Sequence, residues 1–348
     1  MRQIIIFSQL LFFTYFLYIY PYDSLDFLIN NKSIFKKSSL ILTFLFSTLI
    51  FYYFKSKNTF FLLKLFVYEG IGIGFISFWI INLGHLVNLI IYSPYEIGIS
   101  CLFIILILII ISLINGRTIK LQTLKLSSPK LRESIKLIFI SDIHLGSNSI
   151  KHLHKICSII KNLNYDFIII GGDLIDSSTF ELNNLKIFKK LNKKIFFISG
   201  NHEYYLKNYA NKLEKLKNFN LRFLDNKSFK LSNINIIGIS DNQTMQSKSQ
   251  IVNKLVDSEI FNLVVVHKPD LWENNYKNTD LTLSGHTHKG QIFPFNFFVR
   301  LQFKHVYGLF QKFNSKLYVS SGCGCWGPKM RLGSRNEIVE ILITKKSV

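Results

Sequence analysis

An α/β domain built on two sheets, standing behind an all-α membrane region of about four helices, is the architecture this 348-residue sequence predicts. Three observations carry it. Long apolar stretches fill the first third of the chain, whereas from residue 136 onward short β-branched or aromatic runs alternate with Lys-rich amphipathic segments. Several of those short runs end in Asp, Asn or His, as strands do when they deliver polar groups to a crevice at their C-terminal ends.

The apolar stretches are residues 4–20, 38–54, 60–91 and 98–114, and 101–111 contains no polar residue except Cys101. At 1.5 Å per residue, runs of this size cross a hydrocarbon core about 30 Å thick. The first follows Arg2, but Tyr and Phe crowd its end where a signal peptidase needs small residues, so it is expected to stay as an anchor. Lys and Arg in short loops favour the cytoplasmic side. Lys55 and Lys57 between the second and third helices, and Arg117, Lys120, Lys125, Lys130 and Arg132 after the fourth, place both termini there; Ser93-Pro-Tyr-Glu96 carries no basic residue. Lys32, Lys36 and Lys37 in the first loop argue the other way, offset in part by Asp23 and Asp26. The expectation is an integral protein of a bacterial inner membrane with a cytoplasmic catalytic domain.

Asn115-Gly116 closes the last apolar run, and 117–135, with Ser127-Ser128-Pro129, reads as a polar, turn-prone link. The domains are therefore expected at 1–116, a membrane region, and 136–348, a catalytic domain. Within the latter, 149–163, 181–193 and 206–218 read as amphipathic helices, and 241–256 as a surface loop beginning a helix. Strands crowd later, at 221–224, 228–231, 234–239, 262–266, 280–284, 317–321 and 337–343, which points to a second sheet.

Forty-two basic against 21 acidic residues give a net charge of +21. No nucleic-acid recognition motif accompanies it and the lysines form no block, so an anionic bilayer is the expected partner and nucleic acid is not. No protein partner is inferable. Four cysteines, of which only Cys323 and Cys325 are close in sequence, make no disulfide framework.

The chemistry lies at the ends of the short runs. Leu137-Ile-Phe-Ile-Ser141 leads into Asp142 and His144, which point the same way from the end of a strand and can share a metal. Phe167-Ile-Ile-Ile170 leads to Asp173, Ile195-Phe-Phe-Ile198 to Asn201 and His202, and Leu263-Val-Val-Val266 to His267; Gly285-His286-Thr-His288 completes the set. Two divalent cations clamping a phosphoryl group need a bridging anion and several neutral donors, and this set offers both.

In this order and spacing, Asp142-x-His144, Gly172-Asp173, Gly200-Asn201-His202-Glu203, an isolated His267 and Gly285-His286-x-His288 resemble the calcineurin-like metallophosphoesterase family, over about 136–343. Ile140-Ser-Asp-Ile-His-Leu-Gly146, Gly285-His-Thr-His-Lys-Gly-Gln291 and Trp326-Gly-Pro-Lys-Met-Arg-Leu-Gly333 resemble a bacterial subgroup with membrane-anchored phosphodiesterases and UDP-2,3-diacylglucosamine hydrolases of lipid A biosynthesis. The resemblance implies a two-sheet αββα sandwich and two divalent metal ions, Mn, Fe or Zn. It implies that Asp142, His144 and His288 bind one metal, that Asn201, His267 and His286 bind the other, and that Asp173 bridges. It makes His202 the catalytic residue, donating a proton to the leaving oxygen while hydroxide from the metal centre attacks a phosphodiester or pyrophosphate bond.

The expected substrate is phosphate-containing and amphiphilic. The alternatives are a phosphodiesterase or phosphatase of broad specificity acting on nucleotides or phospholipids, a metal-binding membrane sensor without turnover, and a transporter with a regulatory domain. Lys289, where the subgroup usually has Gly, and Cys323-Gly-Cys325 depart from the pattern. His152 and His154 read as surface residues, Asp176 as a support for the site, and Gly70-x-Gly72-x-Gly74 as helix packing. Asn82, His85 and Asn88 recur every three residues in an apolar helix, where polar groups either bond across helices or act on an ion or headgroup.

Overall fold

Residues 2–56 and 60–345 are described by the structure, a computed structural model, and they form two units. Lys57, used above for orientation, lies outside the described residues, as do 346–348 of the expected catalytic domain.

One unit runs to Ile114 and takes in Gly327–Leu332. It holds α1 (Arg2–Thr14), a π-helical turn at Tyr15–Ile19, α2 (Tyr20–Asn30), α3 (Lys37–Lys55), α4 (Phe61–Ile91) and α5 (Pro94–Arg117), whose last residues pass into the other unit. Four continuous helical spans, Gln3–Asn30, Lys37–Lys55, Phe61–Ile91 and Pro94–Arg117, are long and apolar enough to cross a membrane. The first outruns the expected 4–20 because the π-helical turn at Tyr15–Ile19 lets the chain continue helically through Pro21, at the start of α2, and the helix ends only at the left-handed Asn31. Glycines let backbones close up: a Cβ on Gly74 would stand 1.8 Å from the Leu17 carbonyl oxygen, which bears out the packing role expected of the Gly70–Gly74 stretch. Lys36 is held 2.6 Å from Asp26 and 3.4 Å from the buried Asp23, so its charge is largely neutralised locally. Tyr20 donates to Asn82 Oδ1 at 3.0 Å, a polar bond across helices.

The second unit comprises Asn115–Trp326 and the chain from Gly333. Its strands are β1 (Ile119–Ser128), β2 (Ile135–Ile140), β3 (Phe167–Ile170), β4 (Lys194–Phe197), β5 (Leu221–Phe223), β6 (Lys227–Leu231), β7 (Ile234–Ile239), β8 (Phe261–Val266), β9 (Leu281–Ser284), β10 (Gly308–Lys312), β11 (Ser315–Val319) and β12 (Asn336–Lys345). They make two six-stranded sheets, ordered β1-β12-β2-β3-β4-β5 and β10-β11-β9-β8-β7-β6. β2 to β5 run parallel, as do β7, β8, β9 and β11. Alternate residues of both sheets, among them Phe139, Ile169, Phe196, Ile236, Val265 and Leu283, fill the space between them. The intervening residues of the first sheet pack under α6 (Ile150–Lys161), and those of the second under α9 (Met245–Leu255). The result is the αββα sandwich expected.

Two local expectations need correction. The supposed link 117–135 contains β1, which pairs parallel with β12 over its whole length. Gln122, Leu124, Leu126 and Ser128 alternate inward there, a period-two signal obscured by Lys120, Lys125 and the serines. Leu182–Lys190, within the expected helix 181–193, is a 3-10 helix that seats only Leu185 and Phe188 in the core. The segment 241–256 is, as expected, a short loop that begins a helix, α9, where Thr244 accepts the Ser247 N–H as an N-cap. The shorter helices are α7 (Asn201–Tyr205), α8 (Tyr209–Leu216), α10 (Trp272–Asn275) and α11 (Phe295–Gln302).

Candidate metal centre

Five parallel strands, β2, β3 and β4 of one sheet and β8 and β9 of the other, end at the same side of the sandwich, and the segments that follow them carry all the metal donors expected from the sequence, with His202. Backbone bonds lock the loops together. Asp142 donates its N–H to the Gly172 carbonyl at 3.0 Å, His144 to Asp173 at 2.9 Å, and Gly285 to His267 at 2.9 Å. The turns are tight enough to force left-handed backbone on Asp142, His144, Asp173, His286 and His288, with φ between 48° and 70°. Such a cluster of non-glycine residues in a costly conformation is typical of functional sites. Two glycines make the approach possible: a Cβ on Gly200 would lie 2.2 Å from Asp173 Oδ1, and one on Gly285 2.3 Å from Asp142 Oδ2.

Three groups of donors converge. In the first, His288 Nε2 lies 3.4 Å and His144 Nε2 3.8 Å from Asp142 Oδ1, and the two ring nitrogens are 3.0 Å apart. In the second, His267 Nε2 lies 3.1 Å from Asp173 Oδ2 and 3.2 Å from His286 Nδ1. The third joins His144, Asp173 and His202; Asp173 Oδ2 is 3.7 Å from His144 Nε2 and 3.9 Å from His202 Nε2, which puts this carboxylate between the other two groups. Asn201 opens α7, and its buried Oδ1 has no hydrogen-bond partner among the described residues.

This donor set fits divalent cations. Buried polar atoms ordinarily find partners, yet here an amide oxygen stands alone and lone pairs face one another. His267 Nδ1 donates to the Gly171 carbonyl at 2.9 Å, since a carbonyl only accepts, and Nε2 is thereby aimed at Asp173. The electrostatics agree. Burial opposes charge on His267, but Asp173 outweighs it and holds the imidazole at about 10. Burial and the neighbouring His267 push His286 down to about 4. Burial likewise resists charge on Asp173, while His267 and His144 hold its carboxyl far below the usual range. The pocket is built to keep a carboxylate ionised and to attract positive charge.

The surroundings bear out one supporting role and add others that sequence reasoning missed. Asp176 accepts the Ser147 N–H at 2.9 Å and faces His144 Nδ1 at 3.5 Å, the support expected of it. Glu203, fully buried, accepts four backbone N–H groups, those of Asp173, Leu174, Ile175 and Gly200, at 2.8 to 3.0 Å. It thus ties the β3 and β4 loops to each other. His202, half-buried, is flanked by the exposed rings of Tyr205 and Trp326, with centroids 5.4 and 5.8 Å away. Burial lowers its pKa, with Asp173 opposing. Lys289 lies over the Tyr307 ring at 4.4 Å. His154 is exposed as expected, but His152 is half-buried with Nε2 2.7 Å from the Cys323 carbonyl. Cys323 and Cys325 are both fully buried.

The chain is similar to known proteins. A family model described as calcineurin-like phosphoesterase matches residues 135–290. The chain is 34% identical over 272 residues to an uncharacterised metallophosphoesterase of Campylobacter jejuni, covering 72% of this chain and 70% of that one. It is 33% identical over 236 residues to an uncharacterised metallophosphoesterase of Helicobacter pylori, covering 63% of this chain and 62% of that one. A transmembrane protein with metallophosphoesterase domain from Danio rerio is 28% identical over 268 residues, with 70% of this chain and 61% of that protein covered. The last two relatives are thus matched over less than two thirds of their own length. The family uses a dinuclear divalent metal centre, for which the convergent Asp and His clusters supply donors. With its four membrane-length helices, the chain is a membrane protein, and it belongs to the calcineurin-like metallophosphoesterase family of metal-dependent phosphohydrolases.

Proposed function

We propose that the protein hydrolyses a phosphodiester or pyrophosphate bond of an amphiphilic phosphate compound at a bacterial inner membrane, with UDP-2,3-diacylglucosamine the first substrate to test. The observation that carries this reading is the flanking of His202 by two exposed aromatic rings, Tyr205 and Trp326, at the edge of a buried donor set in a membrane protein. Such rings suit a base, a sugar face or an acyl chain next to a phosphate. The basic residues after the fourth span, Arg117, Lys120, Lys125, Lys130 and Arg132, favour a cytoplasmic catalytic unit.

In this proposal Asp142, His144 and His288 would hold one cation and Asn201, His267 and His286 the other, with Asp173 shared between them. Two such cations supply Lewis acidity and make water a nucleophile at neutral pH. Asp142 is kept in place by the His286 N–H at 3.1 Å and the Ser141 hydroxyl at 2.6 Å, so it offers its remaining lone pairs without moving. His202 would protonate the leaving oxygen; its backbone N–H donates to Asp173 Oδ1 at 2.9 Å, which fixes the start of α7 and the imidazole with it. A broad-specificity phosphodiesterase acting on nucleotides or phospholipids is the second reading. The similarity to a zebrafish protein favours it, since lipid A is a bacterial product.

The test is product identification by mass spectrometry after incubating detergent-purified, chelator-stripped protein and added Mn²⁺ with UDP-2,3-diacylglucosamine. Metal-dependent release of UMP and the acylated sugar phosphate is the expected result. No cleavage, with turnover of an aryl phosphodiester by the same preparation, would discard that substrate and keep the second reading.

A further inference from the structure

The short helix α11 follows directly on the loop that carries His286 and His288, and its polarity runs opposite to that of an ordinary surface helix. Its sequence is Phe-Asn-Phe-Phe-Val-Arg-Leu-Gln, and none of its residues is buried. The inward side holds only Asn296 and Val299, both part-buried. Asn296 lies against Gly290, where a Cβ would meet the Asn296 backbone at 2.3 Å. Phe297 and Leu301, one turn apart and so on one face, are 53% and 85% exposed; Phe293, 49% exposed, stacks edge-on against Phe297 at 5.6 Å. A helix of a water-surrounded domain turns its apolar stripe to the core; this one turns it away. Arg300 is exposed beside that face, and the Lys304 side chain just beyond the helix is 72% exposed.

We propose that α11 is an interfacial helix that rests Phe293, Phe297 and Leu301 among the acyl chains of an anionic bilayer at headgroup depth. Three features commit the face to lipid. The chain is tethered to a bilayer by helices of membrane length, so the bilayer is always at high local concentration. Eight residues of helix span only about 12 Å, too short to cross, which leaves the in-plane position. Arg300 supplies positive charge that anionic headgroups attract, beside Lys304, which is paired at 3.1 Å with Glu273. The consequence reaches the metal centre, because the helix is followed by Phe303, whose ring packs edge-on against His286 at 5.1 Å. The ligand loop is therefore continuous with the segment that touches lipid, and a phosphate carried on a lipid is delivered next to it. This assignment stands apart from the substrate, since the helix sits in the bilayer whichever phosphoester is cleaved.

The experiment places a fluorophore on Leu301→Cys in the full chain, reconstituted in nanodiscs of phosphatidylglycerol and phosphatidylcholine, with Lys217→Cys as an exposed control. All four native cysteines are buried and so label slowly. Doxyl-labelled lipid is expected to quench the Leu301→Cys probe severalfold more than the control, and aqueous iodide to show the reverse order. Quenching of the Leu301→Cys probe by iodide alone would overturn the assignment by showing the face in water. Protection from both reagents would overturn it too, by showing that protein covers the face.

Discussion

The two sheets contribute to the candidate metal centre unequally. The first sheet supplies both carboxylates, Asp142 and Asp173, with His144, Asn201 and His202; the second supplies only histidines, His267, His286 and His288. Their loops are also held differently. Glu203 gathers four N–H groups from two loops of the first sheet, whereas the second sheet's loops are fastened by single bonds such as Thr287 Oγ1 to the Val306 carbonyl at 2.6 Å. The lesson concerns charge. The half that carries the negative charge is the half braced by a buried carboxylate, where movement of a charged side chain would cost most; the histidine half has a lighter frame.

Breaking the charged half should have the larger effect. Asp173→Ala removes the carboxylate that stands 3.1 Å from His267 of one group and 3.7 Å from His144 of the other. Turnover should fall to background and the metal content per chain, read by elemental analysis, should drop with it. Near-normal turnover would sink the two-metal mechanism.

His202→Ala tests a residue that the geometry leaves ambiguous, because it belongs to a donor group with His144 and Asp173 yet faces exposed aromatic rings. As a proton donor its loss should cost on the order of 10²- to 10⁴-fold in turnover. Metal content should stay unchanged, and an aryl ester with a good leaving group should be spared most of the loss. A fall in bound metal would instead make His202 a ligand.

Asp176→Ala touches the charged half only through His144 and Ser147. Loss of such an outer support typically costs about 10- to 100-fold in metal affinity or activity. Titration of the stripped variant with Mn²⁺ should show that added metal recovers part of the rate. A rate that no amount of metal improves would place Asp176 in some other role.

The same asymmetry decides what could be read from sequence. Donors at the ends of β2, β3, β4 and β8 were legible because they follow runs of four apolar residues, so residue type and position are visible together, as with Val266 before His267. Bracing was not. Glu203 was visible within Gly200-Asn201-His202-Glu203, but its work is to accept amides from residues up to 30 positions away in sequence, and such bonds leave no local pattern. β1 was hidden for a different reason: as an edge strand it exposes Lys120 and Lys125, which fall on opposite faces, and turns only a few apolar residues inward. The pairing of Tyr205 and Trp326 about His202 joins positions 121 residues apart, which only the fold brings together.

The smallest expected effect sharpens the comparison from the histidine side. Glu273, just after β8, is bonded by His305 Nε2 at 2.7 Å, with Lys304 at 3.1 Å and Lys312 at 3.4 Å, and this cluster anchors the stretch that begins at Phe303 behind His286. The bond from His305 outweighs burial and, with Lys304 and Lys312, holds the Glu273 carboxyl at about 2, against 4.5 for a free glutamate. A depressed carboxylate stabilises the fold above its unfolded pKa and loses that contribution as pH falls through the folded one. The loss should therefore begin near pH 4.5 and finish near pH 2. Glu273→Gln should lower the melting temperature modestly at neutral pH, by the little that a partly exposed ion cluster contributes, and leave turnover near normal. Its melting temperature should also change less than that of the native chain between those two pH values. Equal acid sensitivity in the two proteins would mean that the second sheet's loops do not depend on this cluster.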